Sequence, residues 1–376
     1  MTATLSQITG WPVKKKISSA VLTKDEFRRY IDSHTNDKSV RKDIRAEEIA
    51  LKMFGLVPQD FNLARETADL LGEQAAAFYD YRKKRLFLLE STRGGDDQRM
   101  ALVHELAHAL ADQQHPLGKY LEQGSPDGDE ATAREAVMEG QATWLTWAYE
   151  MQRAGGKAEL PPRLLEEVTR DGEPNPEFPV LSAAPLYIRQ SLLFPYSAGT
   201  KFQEAVYRRS GKQAFDAVFG SSPRSTQQII HPEEYFNAKM PSKPEPPALE
   251  PVLGKESKKM RELIEGAMGE FDHEILLRQH VGAEEAAMAS AHWKGGWFRV
   301  YEHKKDAYPV LTYASEWDSE AAAREYFNLY LQVLQRKWKQ MRMTSRTAGE
   351  ITGSGDSGRF ILRIAGTTVS AIEGVR

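Results

Sequence analysis

The sixteen residues from Asp97 to Asp112 constrain this chain more than any other stretch. Nothing in them breaks a helix, and Asp96 and Asp97 stand where an N-cap belongs. Leu102, Val103, Leu106, Ala107, Leu110 and Ala111 make that helix apolar around most of its circumference, so it is expected to be buried. It nevertheless carries His104, Glu105 and His108, an H-E-x-x-H pattern. The two histidines are four apart and fall on one helix face, about one turn from each other, so both imidazoles can reach one metal ion. Glu105 is rotated by about 100°, close enough to meet water at that metal but off the ligand stripe. The mechanics of such a pattern are zinc plus a general base. Two core histidines would need only hydrogen-bond partners, but burying all three polar groups with neither metal nor partners is costly.

Cysteine is absent from the 376 residues, which excludes disulfides, thiolate ligands and cysteine nucleophiles. A catalytic zinc needs a third protein ligand, and here that is a carboxylate or another histidine. A second helix is expected over 131–151, where Glu135 and Glu139 share a face and Gly140 permits close approach of another backbone. The net charge of −3, with signs mixed, argues against nucleic-acid and anionic-membrane roles. No run approaches the roughly eighteen apolar residues of a membrane span. Met1 to Ala20 lacks the apolar core of a signal peptide, giving a cytoplasmic expectation by default and an exported one if a leader was removed.

H-E-x-x-H at 104–108 followed by E-G-x-A at 139–142 resembles the gluzincin zinc metallopeptidases, the thermolysin-like and aminopeptidase-like catalytic domains. The resemblance implies Zn²⁺ held by His104, His108 and Glu139, with Glu135 as an outer carboxylate orienting a ligand histidine. Thirty residues separate His108 from Glu139, more than in the best-known gluzincins, so an insertion must loop out at 115–130. The other register, with Glu135 as ligand and Glu139 supporting it, resembles thermolysin itself. Pro195 to Phe202 resembles the P-Y-x-x-G-x-x-F segment of gluzincin aminopeptidases, which implies that Tyr196 donates to the tetrahedral intermediate; a core tyrosine at a helix start is the plainer reading. Ser222 to Tyr235 resembles the segment closing this domain in uncharacterised bacterial H-E-x-x-H proteins, making His231 and Tyr235 candidate extra donors, although His231-Pro232 also reads as a turn. The resemblance spans roughly 75–235 and lacks the G-x-M-E-N segment that binds a free amine, which argues against an aminopeptidase.

The expected fold is α+β: a gluzincin-like, mainly helical domain over 1–240 with a small edge sheet, then a smaller α+β domain. Within 1–92 the pattern gives a strand-like start from Val13 to Leu22, a helix capped at Thr23 and running toward Asp32, and a helix from Arg45 to Phe54 stopped by Gly55. A hairpin over 77–89 could flank the cleft and pair with an extended peptide, or be purely structural. The loop Arg93-Gly94-Gly95 feeds the histidine helix. Residues 154–190 read as irregular apart from a helix near 164–169, followed by helices from Tyr196 to Ser210 and from Lys212 to Phe219. The proline-rich stretch 241–253 marks a boundary. Beyond it, helices are expected at 261–281, 283–292 and 318–340, and strands at 297–302, 308–314, 359–364 and 367–372. This domain of 254–376 has a recognition or packing role by default; its His273, His280, His292 and His303 lack metal spacing.

These features predict a zinc-dependent hydrolase, a metallopeptidase acting on a peptide or protein, with Glu105 as general base and Tyr196 as oxyanion donor. A non-catalytic binding protein with a structural zinc is the rival, and Glu105 speaks against it, because a structural zinc needs no base.

Overall fold

The computed structural model describes residues 1–35, 38–74, 76–90, 95–123, 127–170 and 176–376. In the first half, three short strands form a sheet of order β1-β3-β2: β1 (Ser18–Leu22), β2 (Ala77–Asp80) and β3 (Arg85–Leu89). β1 pairs with β3 in parallel, Ser18 against Arg85 through Leu22 against Leu89. A parallel pair needs a long crossover. Helices Lys24–Thr35, α1 (Lys38–Phe54) and Leu63–Gln74 supply it. The strand expected from Val13 thus begins only at Ser18, and the polar residues Lys14, Lys15 and Lys16 precede it; a helix over Thr2–Thr9, not foreseen, buries Leu5 and Ile8. Thr23 caps its helix as expected, its hydroxyl accepting from the Glu26 amide at 3.2 Å. The hairpin is present: Asp80 Oδ1 accepts from the amides of Arg82 and Lys83, closing the turn and leaving β2 at the sheet's edge.

Three long helices follow: α2 (Asp96–Gln114), α3 (Gly128–Arg153) and α4 (Leu186–Ser210). α2 and α3 pack through Val103, Ala107, Leu110 and Ala111 against Ala142, Leu145, Ala148 and Tyr149. α3 and α4 cross where two glycines meet. A Cβ on Gly140 would lie 2.1 Å from the Gly199 carbonyl carbon, and one on Gly199 would lie 2.1 Å from the Ala136 oxygen. Only residues without side chains let these backbones touch. α4 continues through Pro195, so Tyr196 sits in mid-helix rather than at a helix start. The proline costs one ladder hydrogen bond, and packing of Phe194, Gly199 and Phe202 into the core carries the helix across it. The expected insertion at 115–130 holds a further helix, Leu117–Glu122; residues 124–126 lie outside the described ones, as do 91–94 of the loop before α2 and 171–175 of the proline-rich stretch.

The second half is a seven-stranded antiparallel sheet, β4 (Met260–Ala267), β5 (Trp293–His303), β6 (Pro309–Trp317), β7 (Arg342–Arg346), β8 (Glu350–Gly355), β9 (Gly358–Ala365) and β10 (Thr368–Val375), in the order β4-β5-β6-β10-β9-β8-β7. α5 (Glu270–His280) and α6 (Glu320–Lys337) pack on it. The helix expected over 261–281 is two elements. Met-Arg-Glu-Leu-Ile-Glu has good helix formers, but pairing with β5 from Met260 to Ala267 makes it a strand, a tertiary override of weak local preference. β7 and β8 were not expected; β7 is an edge strand exposed along its length, with no apolar alternation to reveal it. Residues 241–253 do not hang free: the Ser242 amide donates to the Lys294 oxygen, and Leu249 is buried against Met260, Val310 and Ile372. The two halves share one apolar core, in which Phe54 meets Phe298 and Tyr313 edge to face at 5.4 and 5.6 Å.

Candidate metal centre

α2 is aimed before it is decorated. Its N-cap is Gly95, not an aspartate; Asp96 and Asp97 lie in the first turn, where negative charge meets the helix dipole. Asp96 pairs with Arg99, which reaches across to Glu150 on α3 at 2.8 Å. α3 starts three residues earlier than expected, because Asp127 caps it by accepting from the amides of Asp129 and Glu130.

Between the helices three atoms converge. His104 Nε2 lies 3.0 Å from Glu139 Oε2 and 3.0 Å from His108 Nε2, and His108 Nε2 lies 3.2 Å from Glu139 Oε2. Protons on neutral imidazoles satisfy this triangle only in part. If both nitrogens donate to Glu139, two N–H groups confront each other; if one nitrogen is bare, it can accept from the other imidazole, but its lone pair then also faces the carboxylate. A cation removes the conflict, since all three atoms then offer lone pairs to it. Ligands about 2.0–2.1 Å from a tetrahedral zinc stand about 3.3 Å apart, near the observed sides. The donor set therefore fits such an ion. Burial raises the Glu139 carboxyl, but the two imidazoles outweigh burial and hold it well below the usual carboxylate range.

The triangle forms part of the wall of a cleft of about 620 Å³. Phe27, Tyr30, Phe78, Met100, Met138 and Trp147 are among its lining residues. Glu105 also faces the cleft. Its Oε2 accepts from the Tyr79 amide on the free edge of β2 at 2.7 Å. Burial pushes its carboxyl up to about 7, helped by the Glu139 charge and opposed by His104 and the Tyr79 amide. Tyr196 stands one turn before the glycine crossing, its ring 5.9 Å from that of His104 and 43% exposed to the cleft. The charge of Glu139, then burial, keeps its hydroxyl protonated far above the ordinary tyrosine range.

Of the residues singled out in the sequence, the structure brings together His104, Glu105, His108, Glu139 and Tyr196. Glu135 does not reach the triangle. It opens into a second cavity of about 570 Å³ between the two halves of the chain, where the enclosing wall and then the Glu139 charge push its carboxyl up to about 7 even though solvent reaches it. His231 is elsewhere too: its Nε2 meets Glu270 Oε1 at 2.7 Å, tying the helical half to α5. Tyr235 packs on Phe202 with ring centroids 5.0 Å apart. Sequence reasoning missed Tyr79, Asp112 and Thr143, whose buried hydroxyl oxygen lacks a hydrogen-bond partner and belongs to a residue of the cleft lining. Asp112 had a signal, being a carboxylate on the same buried helix one turn past His108.

Residues 259–376 match a family described as a domain of unknown function (DUF8575). That match covers the seven-stranded half and leaves the triangle outside it. No curated protein matches the chain. No solved structure matches it either. No helix among the described residues is long and apolar enough to cross a membrane.

Proposed function

We propose that the chain is a zinc-dependent hydrolase of gluzincin type that cleaves peptide bonds. The observation that carries this reading is the triangle of His104, His108 and Glu139, three donor atoms within zinc-ligand spacing of one another, with a carboxylate beside it in an open cleft. A zinc ion held by those three residues supplies a Lewis acid that acidifies water and polarises a carbonyl. The chain's own groups do the rest. Glu105 has one oxygen, Oε2, fixed by the Tyr79 amide, which leaves Oε1 to take a proton from the attacking water. That carboxylate can take the proton and return it to the leaving amine. The Tyr196 hydroxyl, kept protonated, donates to the oxygen that gains charge as the carbonyl is attacked. The apolar and aromatic cleft walls suit an extended polypeptide.

The test is a peptide-library cleavage assay on zinc-loaded protein beside Glu105→Gln. The wild type is expected to cleave, and the variant to keep its zinc while losing several orders of magnitude in turnover. Equal turnover in the two proteins removes the mechanism, and a zinc-loaded wild type that cleaves nothing removes the hydrolase reading in favour of a structural ion.

A further inference from the structure

One residue of the hairpin touches α2 at two heights. The Tyr79 amide donates to Glu105 Oε2 at 2.7 Å, and its phenol donates to Asp112 Oδ2 at 2.8 Å. Glu105 and Asp112 are seven residues apart on α2, which is two turns on one face and about 10.5 Å along the axis. Tyr79 is thus laid along the helix, its amide at one carboxylate and its hydroxyl at the other. β2 is the outer strand of its sheet, so this amide is available to the helix.

Asp112 gathers more than the phenol. It is 6% exposed, and Lys84 Nζ donates to its two oxygens at 2.7 and 2.6 Å. Lys84 closes the hairpin turn with φ 53°, a left-handed conformation that side-chain-bearing residues seldom adopt. The Leu117 amide donates to Asp112 Oδ1 at 2.9 Å, fixing the chain where it leaves α2. The strand, the turn and the helix exit therefore meet at one buried carboxylate. Asp112 does not line the cleft and has no part in the chemistry proposed above. Its three donors come from a strand, a turn and a helix exit, so the one carboxylate fixes the three relative to one another.

We propose that Asp112 and Tyr79 are positioning residues for Glu105: they hold the free edge of β2 at the height on α2 where the amide of residue 79 locks one Glu105 oxygen and turns the other to the cleft. This rests on the reading of Glu105 as the base. Tyr79→Phe deletes only the hydroxyl that sets the height, and Asp112→Asn removes the charge that holds Lys84.

The test uses the full chain, with each substitution made alone and in a Glu105→Gln background. Alone, each should lower kcat by about 10–100-fold, the usual effect of losing a group that orients a catalytic one, with KM and zinc stoichiometry held. In the Glu105→Gln background neither should cost anything further, because both act through Glu105. Amide hydrogen exchange of the metal-free protein gives a readout that needs no activity. The Tyr79 amide should be protected in the wild type and exchange at least about tenfold faster in Tyr79→Phe, Asp112→Asn and Glu105→Ala. Losses that multiply in the double variants, a raised KM at constant kcat, or an unprotected Tyr79 amide in the wild type each overturn the proposal. If the chain cleaves no peptide but the amide behaves as stated, the hydrolase reading falls and the positioning stands; if it cleaves and the losses multiply, the reverse holds. Should Asp112→Asn fail to fold, Tyr79→Phe, one oxygen smaller than the wild type, carries the test.

Discussion

Replacing Gly140 by alanine tests how α3 and α4 set the site. The new Cβ would stand 2.1 Å from the carbonyl carbon of Gly199, 2.3 Å from its oxygen and 2.5 Å from its Cα. All three are backbone atoms, so no side chain can swing aside, and ordinary contact requires the helices to part by roughly 1.3 Å at the crossing. Overpacking of this kind costs about 1–3 kcal/mol, and rigid neighbours place it at the upper end. Alanine returns about 1 kcal/mol of helix propensity. The net expectation is a loss of about 2 kcal/mol, read as a lower urea midpoint at unchanged slope. Gly72→Ala is the control, since Gly72 lies in helix Leu63–Gln74 with nothing within 4 Å of its would-be Cβ; it should gain about 1 kcal/mol. Glu139 adjoins Gly140 and Tyr196 lies one turn from Gly199, so parting the helices also displaces hydroxyl from carboxylate, and a misplacement near 1 Å costs about 10² in rate. A Gly140→Ala protein that gains stability as Gly72→Ala does, with kcat intact, would refute the account of the crossing.

Tyr196→Phe should leave fold and zinc content unchanged and lower kcat by about 10²–10³ with KM little altered; a melt that falls while kcat holds would return the residue to the core. Glu139→Ala should cost zinc affinity far more than Glu135→Ala in a competition titration, since loss of a ligand exceeds the roughly 10–100-fold effect of an outer partner; the reverse order would move the ligand one helical turn. In the metal-free protein, Glu105 and Glu135 are both pushed up to about 7. An acid raised on folding binds its proton more tightly when folded, so this stability is full below its unfolded value near 4.5 and is lost as pH climbs through 7. The thermal midpoint of metal-free protein should therefore fall between pH 5 and 7.5, with Asp272, pushed up to about 6 by burial, adding to the slope, and Glu105→Gln should flatten it.

The sequence made the site more legible than the fold around it. His104, Glu105 and His108 lie within five residues of one helix, so helical periodicity alone fixes their faces. Glu139 came from pattern rather than periodicity, because the gap of thirty residues hides which turn of α3 meets α2. The glycine beside Glu139 and the one a turn past Tyr196 were visible as letters, but that they pack on each other is a property of two helices far apart in sequence. Tyr79 was hidden for a different reason. Its backbone N–H holds Glu105, and a main-chain donor leaves no trace in residue identity. His231 stood open between donor and turn because a histidine before proline looks the same whether it serves a cleft or, as here, pairs with Glu270 across the join to α5. In the second half, β4 has helix-forming residues and became a strand only through β5, and the bare edge β7 has no alternation to read.

The most direct measurement is the zinc content and zinc affinity of the purified protein, by mass spectrometry of metals and competition with a chelator. The account predicts one zinc per chain, removed by chelation and restored by zinc, abolished or weakened by orders of magnitude in His104→Ala, His108→Ala and Glu139→Ala, and retained in Glu105→Gln. A well-folded protein that takes up no zinc, or whose zinc is indifferent to those three residues, would contradict it.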